Sequence, residues 1–511
     1  MDPKVLKKEF VKLLLQNNVI VSADLLNTIN SINEFKIFFE LFKKKNESKE
    51  ITFLNNSIIS IINNIYEESK GKSSALSENI QITSSIPNIY SSVKIIHSYE
   101  KEPKKRTIQD FTNHYIIRYK ALKKILLQRA ELENPVSINK LYNKQDSETV
   151  SVIGYITEKK ETKNGHLLLE LEDQTGSIKI LINKNKPEML AIANDCVLDE
   201  VIGISGPSKE GLIFANELIF PDIPLTKELK KAPEEVYAAF IGDMHFGAKV
   251  FLHEEWNKFL KWIKGESGNE KQREIAKKIR YLVVAGDLVE GVGIYPGQEN
   301  DLEHQDIYKQ YELITESFKQ IPSYINIIIC PGNHDAMRIA EPQPALPRDF
   351  AKSLYELPNV TMVSSPSTVK IHQSENFPGF DILLYHGYSF IYYADQVPSI
   401  RANGGQERTD LIMEFLLKRR HLAPTHKSTL FLPDTDKDYL FIEHVPDFFV
   451  AGHIHRVGVA NYRNVQMIES SCWLATTEYQ EKNGLKPQPA RAVLVNLQTR
   501  QPKILKFGGD K

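Results

Sequence analysis

Apolar positions recur at helical spacing from residue 4 to 66, as in Val5, Phe10, Leu13 and Leu14 and again in Phe35, Phe38, Phe39 and Phe42. This predicts a small helical N-terminal domain over residues 1–68, with the stretch EFKIFFELFKKK as a core-facing stripe. From 69 to 106 the composition turns to Ser, Lys, Asn and Glu, which predicts a flexible linker. Helical spacing returns over 107–145, with Ile116, Leu122, Ile125 and Leu126 on one face.

The period then shortens. ETVSVIGYITEKKET, GHLLLELED, GSIKILIN, VLDEVIGISGPS and LIFANELIFP are five strand candidates, and a helical piece from Pro187 to Ala193 separates the third from the fourth. Five strands with a helix after the third is the order of an OB β-barrel, placed at 146–224. Asn164-Gly165 and Gln174-Thr175-Gly176 stand where hairpins must turn.

After the Lys/Pro joint TKELKKAPEE, apolar runs alternate with amphipathic helices from 233 to 508. VYAAFI, YLVVA, INIIIC, ILLY and FFVA read as buried strands, with helices near 254–264 and 307–320 between the first three. That rhythm predicts a layered α/β sandwich whose binding loops lie at the strands' carboxyl ends.

Those loops carry the chemistry. The five runs are followed by GDMHFG, GDLVEG, PGNHD, HGYS and GHIH. Asp243 and His245 are two residues apart and can grip one ion from the same side; His453 and His455 repeat the spacing, but in the fold they are expected to belong to different metals. Asp287 is the natural bridge, since one carboxylate can hold two ions about 4 Å apart. Asn333 and His386 complete the second ion. Each piece alone is commonplace. Five in one order, each after an apolar strand, point to a two-metal centre. Two carboxylates, four imidazoles and one amide bring minus two against plus four, so the centre stays cationic and suits a phosphodiester. His334, beside a ligand, is placed to give a proton to a leaving oxygen, and Asp335 is assigned to hold that ring. Glu290, Arg338 and Arg401 are candidates for supporting roles or for the surface. His304, His372, His421, His426 and His444 are read as ordinary polar residues.

Composition narrows the partners. With 64 basic and 65 acidic residues in 511, no global basic field advertises nucleic acid. Between Lys101 and Glu131, nine basic residues face three acidic ones, with Phe111, Tyr115 and Tyr119 interleaved. This segment reads either as a strip for a phosphate backbone or as a solvated helix face. Likewise, the barrel's few aromatics, such as Tyr155, leave DNA binding and protein docking both open. Three separated cysteines, Cys196, Cys330 and Cys472, fit a reducing compartment. No apolar run approaches the ~20 residues of a membrane span, so a cytoplasmic chain is expected, without a membrane partner.

The motif set resembles the calcineurin-like metallophosphoesterases over 236 to about 508. Helical domain, linker, barrel and phosphoesterase in that order, with YPGQENDLE and DIYKQYE between the second and third motifs, resemble the small subunits of archaeal family D DNA polymerases across nearly the whole chain. GDLVEGVG lacks the arginine of the serine/threonine phosphatases, GNHD stands where they have GNHE, and Glu290 stands where break-repair nucleases carry histidine. The resemblance implies a proofreading 3′-to-5′ exonuclease in a DNA-directed DNA polymerase. It implies two divalent ions, Mn2+ first with Mg2+, Fe2+ or Zn2+ as alternatives. It implies as partners the large catalytic subunit in a heterodimer, single-stranded or mismatched DNA 3′ ends, and the sliding clamp. The competing reading is a non-catalytic assembly subunit with a relic metal site, as in eukaryotic accessory subunits that have lost ligands. Here all seven are present.

Overall fold

A computed structural model describes residues 20–21, 53–54, 92–102, 104–143 and 148–508. The chain divides into two units, Met1–Asn88 and Ile89–Lys511. In the first, β1 (Ile20–Val21) pairs in parallel with β2 (Phe53–Leu54). The rest of the expected helical domain lies outside the described residues.

The second unit departs from expectation at its start. The polar window 69–106 predicts a linker, and 69–91 lie outside the described residues, but β3 (Val93–His97) is the edge strand of a six-stranded sheet. It pairs antiparallel with residues 368–371, and Val93 packs on the core. Beyond it, Tyr99 is buried and its backbone N–H donates to Ser364 Oγ at 2.7 Å, while Lys101 pairs with Asp434 at 2.9 Å. The polar composition of the window hid the short apolar run VKII.

Helix α1 (Ile108–Leu126) starts in a capping box between Thr107 and Asp110. Arg118, Tyr115 and Tyr119 are spent on packing, whereas Phe111, Lys120 and Lys124 remain exposed. Arg118 is buried, and its Nε donates to Asp438 Oδ2 at 2.6 Å. Tyr119 OH donates to the Ile153 carbonyl, and Tyr155 OH to the Tyr115 carbonyl. The isolated aromatic of the barrel is thus the seat of this helix.

Asp438 also accepts from His421, whose Nε2 lies 2.9 Å away and whose Nδ1 accepts from the Ala423 N–H, so the buried neutral ring is satisfied. Burial, reinforced by the Arg118 charge, lowers the His421 pKa to about 4. In the unfolded chain the ring protonates near pH 6.5. As pH falls from there towards 4 the unfolded state therefore gains a proton that the native state refuses, and stability is lost, on the order of 3 kcal/mol from this group. Urea unfolding at pH 7 and pH 4.5 should show the loss, and His421→Gln should have a shallower pH dependence; equal slopes would refute the assignment.

The barrel comes next: β4 (Thr149–Glu161), β5 (Leu167–Asp173), β6 (Gly176–Ile182), α2 (Pro187–Asn194), β7 (Val201–Lys209), β8 (Leu212–Phe214) and β9 (Glu217–Ile219). Pairing of β4 with both β5 and β7 closes it. Val152, Leu169, Ile180, Ile202 and Ile204 fill its interior, supplied by alternate positions along each strand. The last expected strand is divided into β8 and β9. A buried ion pair between Glu200 and Arg419 ties the barrel to the C-terminal α/β region.

That region, from residue 237 onward, together with β3 forms two facing six-stranded sheets. The first, in order, is β13 (Val360–Met362), β12 (Asn326–Cys330), β11 (Ile279–Ala285), β10 (Tyr237–Ile241), β19 (Arg491–Asn496) and β20 (Pro502–Lys506). The second is β17 (Gly458–Tyr462), β18 (Val465–Glu469), β16 (Phe448–Ala451), β15 (Phe380–Leu384), β14 (Ser367–Ile371) and β3. Between them Phe240, Val283, Ile328, Ile382, Val450 and Val493 form an apolar core. Helices α3 (His253–Ile263) and α4 (Ile307–Phe318) cover the first sheet with Trp256, Phe259 and Tyr311, and α5 (Thr409–Arg419) packs on the second sheet's side with Ile412 and Leu416. Burial on both faces explains why β10, β11, β12, β15 and β16 read as unbroken apolar runs. Among the described residues no helix is long and apolar enough to cross a membrane.

Candidate metal centre

The loops after β10, β11, β12, β15 and β16 meet at the carboxyl edge of the two sheets. Asp243, His245 and His455 have ligand atoms within 4.8 Å of one another, as do Asp287, His386 and His453. The two histidines of GHIH, His453 and His455, are divided between the two groups, as expected. Asp287 lies between them: its Oδ2 is 3.3 Å from His386 Nε2 and 3.6 Å from His245 Nε2. Asn333 Oδ1 is 3.0 Å from His386 Nε2. All seven expected residues come together.

Five of them hold unusual backbone. Asp243, His245, Asp287, His453 and His455 have φ between 49° and 76°, in the left-handed region, at a cost of about 1–3 kcal/mol each. Backbone bonds hold them there, among them Asp243 N–H to the Gly286 carbonyl, His245 N–H to the Asp287 carbonyl and Gln488 N–H to the His455 carbonyl. The His453 N–H donates to the Asp243 carboxylate at 3.0 Å. Gly332 has a different reason. A Cβ there would lie 2.2 Å from Asp287 Oδ1, so glycine supplies room for the carboxylate.

The arrangement passes a test for cations. His386 Nδ1–H donates to the Ala285 carbonyl at 2.8 Å, leaving Nε2 to face two oxygens, of Asn333 and Asp287. His245 Nδ1 is engaged by Glu290 Oε2 at 2.8 Å, leaving its Nε2 3.2 Å from His455 Nε2. At His386 a lone pair turned on two oxygens needs a positive charge between them, either a proton or a metal ion, whereas the His245–His455 contact is also met by the proton on His455 Nε2, whose Nδ1 accepts from the Gln480 amide. Burial opposes charge on both rings, but Asp287 holds His386 up to about 10, and Glu290 holds His245 up to about 9. Burial keeps His453 neutral, down to about 3, and His455 well below the ordinary imidazole range. It also pushes Asp243 up to about 7, whereas for Asp287 the charge of His386 outweighs burial and keeps it ionised. Metal uptake at His245 and His386 therefore competes with protons.

His334 stands beside these groups, with a ring nitrogen within 4.8 Å of ligand atoms of His245 and Asp287. Its N–H donates to Asp287 Oδ1 at 2.8 Å, and its Nδ1–H to the Glu290 carbonyl at 2.9 Å, which leaves Nε2 for a substrate. Sequence assigned the orienting role to Asp335, and the structure gives it to Glu290. The buried Asp335 carboxylate accepts instead from the N–H groups of Gly332 and Leu288 and from Tyr311 OH, and so pins the loop after β12.

Glu290 is thus a supporting residue for two histidines. Arg338 is engaged with the carbonyls of Ala340 and Pro342, and Arg401 bonds the Asp395 carbonyl. Sequence reading missed Gln480, whose amide lies 2.9 Å from His455 Nδ1. It stands on a short helix, Glu478–Lys482, in a capping box with Thr477. The pattern Thr-x-x-Gln was a legible signal for that helix.

The C-terminal region holds a calcineurin-like phosphoesterase domain, whose family model matches residues 237–457. The small subunit of DNA polymerase II from Methanothermobacter thermautotrophicus is 39% identical over 389 residues, 76% of this chain and 78% of that protein. Those from Methanocaldococcus jannaschii and Pyrococcus furiosus are 40% and 36% identical over 76% and 79% of this chain, which spans 64% of each. The chain belongs to the family of archaeal DNA polymerase II small subunits, with a metallophosphoesterase domain.

Proposed function

We propose that the chain is the 3′-to-5′ exonuclease subunit of a heterodimeric replicative DNA polymerase, trimming unpaired DNA ends for proofreading. The observation that carries this reading is the intact seven-residue centre with a histidine beside it, since a relic would have no reason to keep five strained ligand backbones. Asp243, His245 and His455 would hold one ion, and His386, Asn333 and His453 the other, with Asp287 shared. The mixed imidazole and oxygen set suits Mn2+, Fe2+ or Zn2+ better than Mg2+. When bound, such ions supply Lewis acidity to a phosphoryl oxygen and activate water.

The chain's own residues do the rest. Water adds to phosphorus, the bond to the 3′ oxygen of the penultimate nucleotide breaks, and that oxygen takes a proton from His334 Nε2. The terminal nucleotide leaves as a 5′-monophosphate. The Glu290 carbonyl keeps the proton on Nδ1, so the ring that has given up its proton is the correct tautomer to be recharged.

The large catalytic subunit is the partner this reading requires. Net charge is minus one and the positive excess is confined to one short segment, in which Arg118 and Lys101 are already paired, so on this reading most of the grip on DNA comes from elsewhere. We read the barrel as an OB domain serving docking, because Tyr155 and Tyr119 pack on each other at 5.7 Å and are not free for bases. Release of 5′-mononucleotides from a 5′-labelled strand, dependent on added Mn2+ and stimulated by the large subunit, tests the proposal. An absence of release with both subunits and Mn2+ present would favour the scaffold.

A further inference from the structure

The segment Gly291-Val292-Gly293-Ile294-Tyr295-Pro296-Gly297 follows directly on Glu290. It presents apolar side chains to solvent: Val292 is 47% exposed, Ile294 37% and Tyr295 39%. Isolated exposed apolar residues are ordinary, but here three lie within four positions at the rim of a cationic centre.

The loop is built. Gln298 is only 1% exposed; its Nε2 donates to the Glu290 carbonyl at 3.0 Å, and its Oε1 accepts from the Ile294 N–H at 2.9 Å. Gly291 has φ 78°, its N–H donates to Gln310 Oε1, and a Cβ there would lie 2.3 Å from the His334 carbonyl oxygen. Tyr295 OH donates to Asp301 at 2.9 Å. One carbonyl, that of Glu290, therefore accepts both from the ring of His334 and from the amide that braces the loop. Whatever fixes His334 fixes the exposed apolar edge beside it.

Resting on the reading above, we infer that Val292, Ile294 and Tyr295 form a stacking platform for one nucleobase, that of the penultimate nucleotide. The choice of base follows from the chemistry. His334 gives its proton to the leaving 3′ oxygen, which belongs to the penultimate nucleotide, so the surface continuous with His334 lies on that side of the scissile phosphate. A base can reach an apolar shelf only when it is unpaired. The platform thus makes two unpaired nucleotides at the 3′ end the preferred substrate, and a single frayed one a poorer one.

Two measurements on the full chain test this. The first does not depend on cleavage: an oligothymidylate carrying 5-iododeoxyuridine at the penultimate or at the terminal position is irradiated with the protein in Ca2+, and the adduct is mapped by mass spectrometry. The penultimate label is expected on Tyr295. Adducts only from the terminal label, or none within 291–297, overturn the inference. The second is a cycle of kcat/KM with Mn2+ and the large subunit. Tyr295→Ser and an abasic penultimate nucleotide should each cost about tenfold, the order expected for one base stacked on an aromatic ring, and together no more than either alone. Losses that multiply, or no loss, overturn it. Tyr295 adducts without any mononucleotide release would instead overturn the nuclease reading while the platform stands.

Discussion

Asp287→Asn is expected to abolish phosphodiester cleavage, by at least about 10³-fold, and to lower bound metal from two equivalents to one or none. The carboxylate faces His386 and His245 with one oxygen and receives the His334 N–H on the other. Asparagine has the same shape, and its oxygen can keep the His334 bond. The amide then points its hydrogens at the two imidazole nitrogens, so the shared ligand is lost while the loop is kept. Asp287 is buried, at the floor of the site. Removing its charge also removes the main influence that holds His386 up to about 10, whereas His245 keeps Glu290 beside it. The fold should persist, with a cooperative unfolding transition near that of wild type. Elemental analysis showing two metals, or wild-type turnover of a simple diester, would refute the bridging role.

The cluster of candidate ligands was more legible in the sequence than parts of the frame around it, for physical reasons. Ligands after buried parallel strands are advertised twice, by a run such as LVVA and by the Gly-Asp that ends it, and both signals are local. The barrel was also legible because its strands alternate and its turns carry glycine. β3 was not, since two isoleucines amid polar neighbours look like a linker until β14 is present to pair with. The partner of the His334 ring was hidden for a related reason. Sequence shows which side chains are near in the chain, whereas the partner is a backbone carbonyl 44 residues away. The charge of α1 misled in the opposite direction, because Arg118 finds its carboxylate at Asp438, 320 positions on. The left-handed φ of five ligands carries no residue signature, as Asp and His are tolerated there without glycine.

Replacing His334 by alanine separates an acid from a ligand. The question is real in this structure, because His245, Asp287 and His334 also have ligand atoms within 4.8 Å of one another. Two observations favour the acid. Asp287 and His245 are already directed at His386 and His455 respectively, and the His334 ring stands edge-on to His245, with centroids 4.6 Å apart. Its Nδ1 is committed to a carbonyl, as a proton donor's rear nitrogen should be. The variant should therefore bind two metals and lose about 10²- to 10⁴-fold in the rate of DNA cleavage. The loss should shrink on a diester with a nitrophenolate leaving group, which needs no proton as it departs. It should show in kcat with little change in KM, because a proton is given only in the transition state. A variant that lost one metal equivalent, or that was equally impaired on both substrates, would move His334 into the ligand set and leave the leaving oxygen without its proton source.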